Sequence, residues 1–357
     1  MKVLITAPAL DENENVSGIS TVVRQLIEHF PAEFTHFRAG RSDGERHGAG
    51  WVLKQAALPF RFRRAIKNTF PDIIHLNTAL TTQAIWRDAA LSFIASKQNK
   101  PVVLFIHGGK FLLEDIRDPL TRRMAVMMFA RSRSVTVLSE IEKENIARRW
   151  PDLHIEVLPN AVVAPDGAPP IRRNARPAIV FVGRMHQSKG LQQIVEASRA
   201  LLANGFEFSF TCYGEGPMRD EFTAAMKREI GERFIYGGVV AGDAKTAAFE
   251  RADIFLLPSL YGEGLPMAML EAMAAGCVAV VSEMASISSV INDGENGFLV
   301  APGDTDDLIK KMMQVLELRP KWPEIGNAAA TAIRTRFSMG QYIEKLTTIY
   351  KNAIAKN

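Results

Sequence analysis

Short, almost wholly apolar runs recur along the chain, and between them lie longer stretches whose apolar positions return every three or four residues. The first kind reads as a strand buried on both faces, the second as an amphipathic helix. In the first half the strand-like runs fall near 2–8, 34–39, 72–76, 101–107, 134–139 and 154–158. In the second half they fall near 178–183, 206–213, 233–236, 253–257, 277–281 and 297–300. Helix-length segments lie between most of them, and a last helix follows Phe337-Ser338 and ends near Tyr350. This alternation predicts an α/β protein of parallel sheets covered by helices on both faces. Twelve strands are too many for one comfortable open sheet. The break falls between Ala161 and Pro177, where Pro165, Gly167, Pro169 and Pro170 crowd together as in a linker. The expected organisation is a first domain over 1–163, a linker over 164–176, a second domain over 177–336 and a closing segment over 337–357. Two doubly wound domains facing each other would form a cleft, with ligands at the carboxyl ends of the strands that line it.

Composition narrows the class. With 357 residues, 47% of them hydrophobic and 23% charged, the chain reads as globular. Its two cysteines, Cys212 and Cys277, both sit in apolar runs, which points to buried thiols and a reducing compartment. The opening Met1-Lys2-Val3-Leu4-Ile5 run is too short for a signal peptide and reads as the first strand. The net charge of +4 is uneven: residues 1–163 hold 22 Lys/Arg against 17 Asp/Glu, the remainder 21 against 22. No nucleic acid is expected as partner, since no Cys/His finger, aromatic RNA-binding signature or dense basic run accompanies that excess. Within the basic half, residues 57–70 interleave Phe60, Phe62 and Phe70 with Arg61, Arg63, Arg64 and Lys67. Arg122, Arg123, Met124, Met127, Met128, Phe129 and Arg131 form a second such group. Two readings fit them: ordinary helices with one core face and one wet face, or a surface that rests on an anionic membrane.

The stretch most charged with chemistry is 253–276, a buried strand, then Tyr261-Gly262-Glu263-Gly264-Leu265-Pro266, then a helix closed by Gly276. Glu263 in the loop and Glu271 in the helix stand on the order of 10 Å apart along the axis. Between them the helix N-terminus offers free N–H groups and a partial positive charge. An anion site flanked by two acceptors suits a nucleotide sugar, although a Glu that merely favours the helix start and a solvated Glu271 would leave the same pattern. A second stretch with the pattern of an anion-binding turn is Gly183-Arg184-Met185-His186-Gln187-Ser188-Lys189-Gly190, where Arg184 can fork onto phosphate oxygens and Lys189 can add a point charge, although two solvated basic residues would leave the same pattern. It lacks the Walker A spacing, which disfavours an NTPase. In the first half, Gly18 stands at a strand-to-helix turn, as a plain turn glycine or as a close backbone approach to an acceptor. His75 and His107 each end a strand and would point to the cleft mouth. His107 is the better candidate, because Gly108 and Gly109 would leave room for a ligand. Ser139 reads as the N-cap of a helix.

The run E-G-L-P-x-A-x-L-E-A-M-A-x-G from Glu263 to Gly276, with Gly183-Arg184-x4-Lys189-Gly190, resembles the signature of retaining family 4 glycosyltransferases. The resemblance is strongest over 177–310 and looser toward the termini; the family's usual pair of glycines at the first turn is Ser17 and Gly18 here. It implies the two-domain GT-B architecture, with the closing helix crossing back to the first domain. It implies transfer of a sugar from a nucleoside-diphosphate sugar to a hydroxyl of a glycan or lipid-linked glycan, with retention, in the cytoplasm or at the inner face of the membrane. Arg184 and Lys189 would hold the diphosphate and stabilise its growing charge. No cofactor or divalent metal is then expected. Glu263, Gly264, Leu265 and Pro266 would hold the sugar, Glu271 the ribose diol, Gly183 the diphosphate turn, and Tyr236 would lie beside the base. His107 would meet the sugar or the reacting centre, and Gly18 and His75 would serve the acceptor. A soluble sugar or sugar-phosphate acceptor, or a nucleotide-sugar-binding protein without transfer activity, are the alternatives.

Overall fold

The computed structural model describes residues 1–11, 14–15, 17–40, 49–112, 114–165, 167–170, 172, 174–284 and 286–355. Contacts divide the chain into two compact units, one of Met1–Asn160 with Gly340–Asn357 and the other Ala161–Met339.

Unit 1 runs β1 (Lys2–Ala7), α1 (Gly18–His29), β2 (Glu33–Arg38), α2 (Ala49–Thr69), β3 (Ile73–Thr78), α3 (Thr82–Lys97), β4 (Val102–Ile106), α4 (Pro119–Ala130), β5 (Ser134–Val137), α5 (Glu140–Arg149) and β6 (Ile155–Val157). The strands form one parallel sheet in the order β2-β1-β3-β4-β5-β6. Residues such as Leu4, Ile74, Leu76, Val102, Leu104 and Val135 are buried on it, which is why the strands read as continuous apolar runs. Ser17 caps α1 and Ser139 caps α5, each hydroxyl accepting an N–H three residues on. β3 reaches two residues beyond the expected 72–76, because Asn77 and Thr78 pair with Phe105 and Ile106 of β4. A polar Asn is tolerated there because its side chain donates to the Thr6 carbonyl at 2.8 Å.

Unit 2 runs β7 (Ala178–Val182), α6 (Leu191–Ala203), β8 (Ser209–Tyr213), α7 (Arg219–Ile230), β9 (Phe234–Tyr236), α8 (Gly242–Arg251), β10 (Ile254–Leu257), α9 (Met267–Ala274), β11 (Val278–Ser282), β12 (Phe298–Val300), α10 (Thr305–Glu317) and α11 (Trp322–Arg336). Its parallel sheet has the order β12-β11-β10-β7-β8-β9. The order reverses between β7 and β10, the place at which sheets of this kind offer a ligand site beyond the carboxyl ends of the strands. Cys212 and Cys277 are both buried free thiols, each pushed up to about 12 by burial.

The stretch expected as a linker groups with unit 2. Arg172 fastens it: the guanidinium donates to the carbonyls of Phe249, Glu250, Ala275 and Gly276 at 2.6 to 3.1 Å. Positions 166, 171 and 173 of that stretch lie outside the described residues. The chain then ends in α12 (Met339–Ala355), whose Leu346 and Tyr350 are fully buried in unit 1. The Tyr350 ring meets Phe30 edge-on, with centroids 5.6 Å apart.

Candidate functional site

The two loops at the reversal point of unit 2 are the ones that carry the motifs. After β7 the chain turns through Gly183 and Arg184, buries Met185, makes one short turn over Gln187–Lys189 and enters α6 at Gly190. Gly190 is in the left-handed region with φ +69°, and a Cβ there would lie 2.0 Å from the Pro258 carbonyl oxygen. No other residue lets this loop press so closely on the one leaving β10. Leu260 N–H closes the seam by donating to Ser188 O at 2.7 Å.

That packing brings together two residues 74 positions apart in sequence. Lys189 forms an ion pair and a short hydrogen bond with Glu263, and the Ser259 hydroxyl donates to the same carboxylate oxygen at 2.5 Å. The pair is largely shielded, with the Glu263 side chain 9% and that of Lys189 20% exposed. Arg184 is half-buried on the same loop as Lys189, and Gly264 and Leu265 are buried in the loop of Glu263. Pro266 serves as the N-cap residue of α9. The first N–H groups of α9 therefore follow Glu263 directly, and an anion placed there meets their partial positive charge. Glu271, on the second turn, is ion-paired with Lys245 of α8.

Tyr236, at the end of β9, is half-buried, and its hydroxyl lies 2.8 Å from a Glu215 carboxylate oxygen and 3.1 Å from Gly214 O. Arg219 donates to the same Glu215 at 3.0 Å. The triplet Asp304-Thr305-Asp306 opens α10, where the Asp304 carboxylate accepts from Asp307 N–H at 2.9 Å.

In unit 1, Gly18 is the first residue of α1, exposed, with open space where a Cβ would point. His107 lies just past β4 and is half-buried. Its Nε2 is 2.6 Å from Asn77 Oδ1, Asn160 hydrogen-bonds the same ring, and burial lowers its pKa to about 4. Of the two glycines after it, Gly109 serves the packing of the chain rather than room for a ligand. A Cβ on Gly109 would lie 2.4 Å from Leu80 N, so the glycine is there to let the loops after β3 and β4 close on each other.

His75 departs further from expectation. It is the third residue of β3 rather than its end, and it is 2% exposed. It is stacked on Phe105 at 3.9 Å and hydrogen-bonded to Tyr350 and Asn77. A ring so enclosed cannot contact an acceptor; the strand simply continues past it. Sequence reasoning missed Ser259, Lys245, Asn77 and Tyr350. Only Asn77 left a trace, since a residue two places after His75 on a strand shares its face.

Two six-stranded parallel sheets, the second reversing at a phosphate-type turn, define the architecture of the GT-B glycosyltransferases. The solved sucrose-phosphate synthase of Thermosynechococcus elongatus superposes over the whole of both chains with a TM-score of 0.77 at 15% identity. The Anabaena protein Alr3699/HepE, solved in complex with UDP, superposes over 98% of this chain and all of its own with a TM-score of 0.72 at 16% identity. Residues 176–318 match the family profile described as glycosyl transferases group 1, and residues 16–164 match that of glycosyltransferase family 4. The chain belongs to the group 1, family 4 glycosyltransferases. Among curated relatives, the 2-deoxystreptamine glucosyltransferase of Streptomyces kanamyceticus is 26% identical over 57% of this chain. The match spans 57% of that relative's length, and 29% and 35% of two others.

Proposed function

We propose that this protein transfers a sugar, with retention, from a nucleoside-diphosphate sugar to a hydroxyl of a glycan or lipid-linked glycan in cell-surface polysaccharide or glycolipid synthesis. The observation that carries the reading is the meeting of Lys189 and Glu263 at the reversal point of unit 2, with Arg184 on the same loop and the start of α9 beside it. Arg184, Lys189 and the α9 N-terminus receive the diphosphate and stabilise the charge that develops on it as it leaves. That set supplies the positive charge without a divalent metal. Glu263 and the backbone at Gly264–Pro266 hold the sugar hydroxyls, and Glu271 accepts from the ribose diol. His107 serves the sugar or reacting centre. The UDP bound by Alr3699/HepE and the glucosyl transfer named for the Streptomyces relative support this class of donor.

The test is thermal shift against a panel of UDP-, GDP-, ADP- and TDP-sugars, with Arg184→Ala as control. A donor at a hundred times its Kd stabilises by about 2.7 kcal/mol. One donor whose shift vanishes in the variant supports the reading; shifts that survive in Arg184→Ala refute the assignment of the phosphate turn.

We further propose that unit 1 rests on an anionic membrane through α2, α3 and α4. These helices carry nine Lys/Arg and a single acid, Asp88, which is buried against Arg87. Of the apolar residues in and beside these helices, Phe62, Met128 and Phe129 are buried in the core, while Phe60 at 77%, Phe70 just after α2 at 71% and Leu120 at 59% are exposed. Among the described residues no helix is long and apolar enough to cross a membrane. Each basic side chain near an anionic surface contributes about 1 kcal/mol, so the helices adhere without insertion. The purified protein should float with phosphatidylserine vesicles at low salt and ignore neutral ones; equal recovery with both would sink the idea.

A further inference from the structure

A line of buried polar side chains in unit 1 runs from the closing helix to His107. Tyr350 Oη lies 2.6 Å from His75 Nδ1, His75 Nε2 lies 3.1 Å from Asn77 Oδ1, and that same oxygen lies 2.6 Å from His107 Nε2. Asn77 itself is fixed: its Nδ2 donates to the Thr6 carbonyl at 2.8 Å and its backbone N–H to Thr6 Oγ1 at 3.0 Å. A carbonyl oxygen accepts only from a donor, so the Thr6 contact settles which end of the amide is nitrogen. Asn77 Oδ1 therefore faces both imidazoles, and an amide oxygen only accepts. Both rings then carry their proton on Nε2, which leaves Nδ1 as acceptor and makes Tyr350 the donor to His75. Burial holds both rings neutral, with pKa values lowered to about 3 for His75 and about 4 for His107. A free imidazole rotates and exchanges tautomers; this one is held in a single orientation and protonation pattern.

We propose that Asn77 is a positioning residue for His107, its amide oxygen locking the ring as the Nε2–H tautomer while His75 and Tyr350 hold the far end of the line. The inference rests on the reading of His107 given above. Asn77 acts through His107 and does not touch the substrate. A polar group hydrogen-bonded only for the sake of the core would satisfy the same contacts, so the test must separate the two.

The first measurement needs no substrate. Long-range proton–nitrogen spectra of the protein, which has seven histidines, should show two neutral rings in the Nε2–H form at pH 7. In Asn77→Ala the His107 signal should move to mixed tautomers; if it keeps the wild-type pattern, the lock does not exist. The second is turnover, read as nucleoside diphosphate released from the nucleotide sugar that stabilises the protein in the panel. Misplacement of a reacting group costs up to about 100-fold, so Asn77→Ala should lower kcat by about 10- to 100-fold. Its KM for the donor should stay within about twofold, and the His107→Ala/Asn77→Ala double variant should be no slower than His107→Ala.

If His107→Ala turns over like wild type, the role given to His107 fails. If His107→Ala is slow while Asn77→Ala is not, or the double variant loses a further independent factor, the positioning role alone fails. Should Asn77→Ala not fold, Asn77→Ser keeps a small polar side chain while withdrawing the amide oxygen from both rings. It should show the same change of His107 tautomer and the same fall in kcat, and wild-type behaviour in both overturns the proposal.

Discussion

Replacing Glu263 by Gln separates the two tasks assigned to the phosphate end of the site. The change keeps the acceptor oxygen that Ser259 donates to at 2.5 Å and removes only the negative charge beside Lys189. In the present arrangement that charge neutralises Lys189. A phosphate held by Lys189 on its far side would sit roughly 6 Å from the carboxylate, two charge-assisted hydrogen-bond lengths. At an effective dielectric constant of about 20 the repulsion is about 3 kcal/mol per charge. Salt and side-chain relaxation reduce this to about 1–2 kcal/mol, or about 5- to 30-fold in affinity. Glu263→Gln should therefore bind the free nucleoside diphosphate more tightly, with a steeper salt dependence, while sugar transfer falls by at least about tenfold as a charged acceptor of sugar hydroxyls is lost. Calorimetric titration with the nucleoside diphosphate at two salt concentrations, alongside turnover of the matching nucleotide sugar, reads both effects. Equal or weaker diphosphate binding by the variant would refute the placement of the diphosphate on Lys189.

Gly190→Ala should destabilise the protein by more than about 2 kcal/mol, because φ +69° strains any Cβ and the Pro258 carbonyl occupies its place. Gly18→Ala meets no atom within 4 Å and should change stability by less than about 0.5 kcal/mol, so any loss of transfer there reports the acceptor; denaturant melts and turnover check both. Glu271→Ala should erase the preference for a ribonucleoside diphosphate over its 2′-deoxy analogue, a loss of about 1–3 kcal/mol for the former alone, seen by competition binding. Stability should fall as the pH drops from 7 to 5. His75 and His107 titrate at about 3 and about 4 when folded and near 6.5 when unfolded, so in that window the unfolded chain binds the extra protons. The loss is about 2 kcal/mol per ring at pH 5 and levels off below the folded values; His75→Gln should flatten the urea-measured slope.

The central strands were legible because they are buried on both faces and spell themselves as unbroken apolar runs, as β3, β4, β10 and β11 do; the edge strands β2 and β9 are partly exposed, yet they and the other strands of the described residues lie where the runs predict. Their ends were less legible. β3 continues through Asn77 because Thr6 satisfies its amide, a compensation made by another strand that no local pattern encodes. That small extension turned His75 from an expected ligand contact into a core residue. The loop motifs were legible for the opposite reason. Gly183, Gly190 and Gly262 interrupt the apolar runs at the carboxyl ends of β7 and β10, where charged residues have no core to serve.

Which cation meets which carboxylate was not legible, since both pairings depend on tertiary packing. Lys189 reaches Glu263 only because two loops touch at Gly190, and Lys245 reaches Glu271 only because α8 lies against α9. These pairings bear on mechanism. Each carboxylate expected to accept a donor hydroxyl already faces a lysine, so the charges are balanced before any ligand arrives. A dianionic diphosphate entering beside Lys189 tips that balance. Glu263, which already accepts from Ser259, would gain a second hydroxyl donor only when the sugar accompanies the phosphate, and this would couple recognition of the sugar to neutralisation of its leaving group.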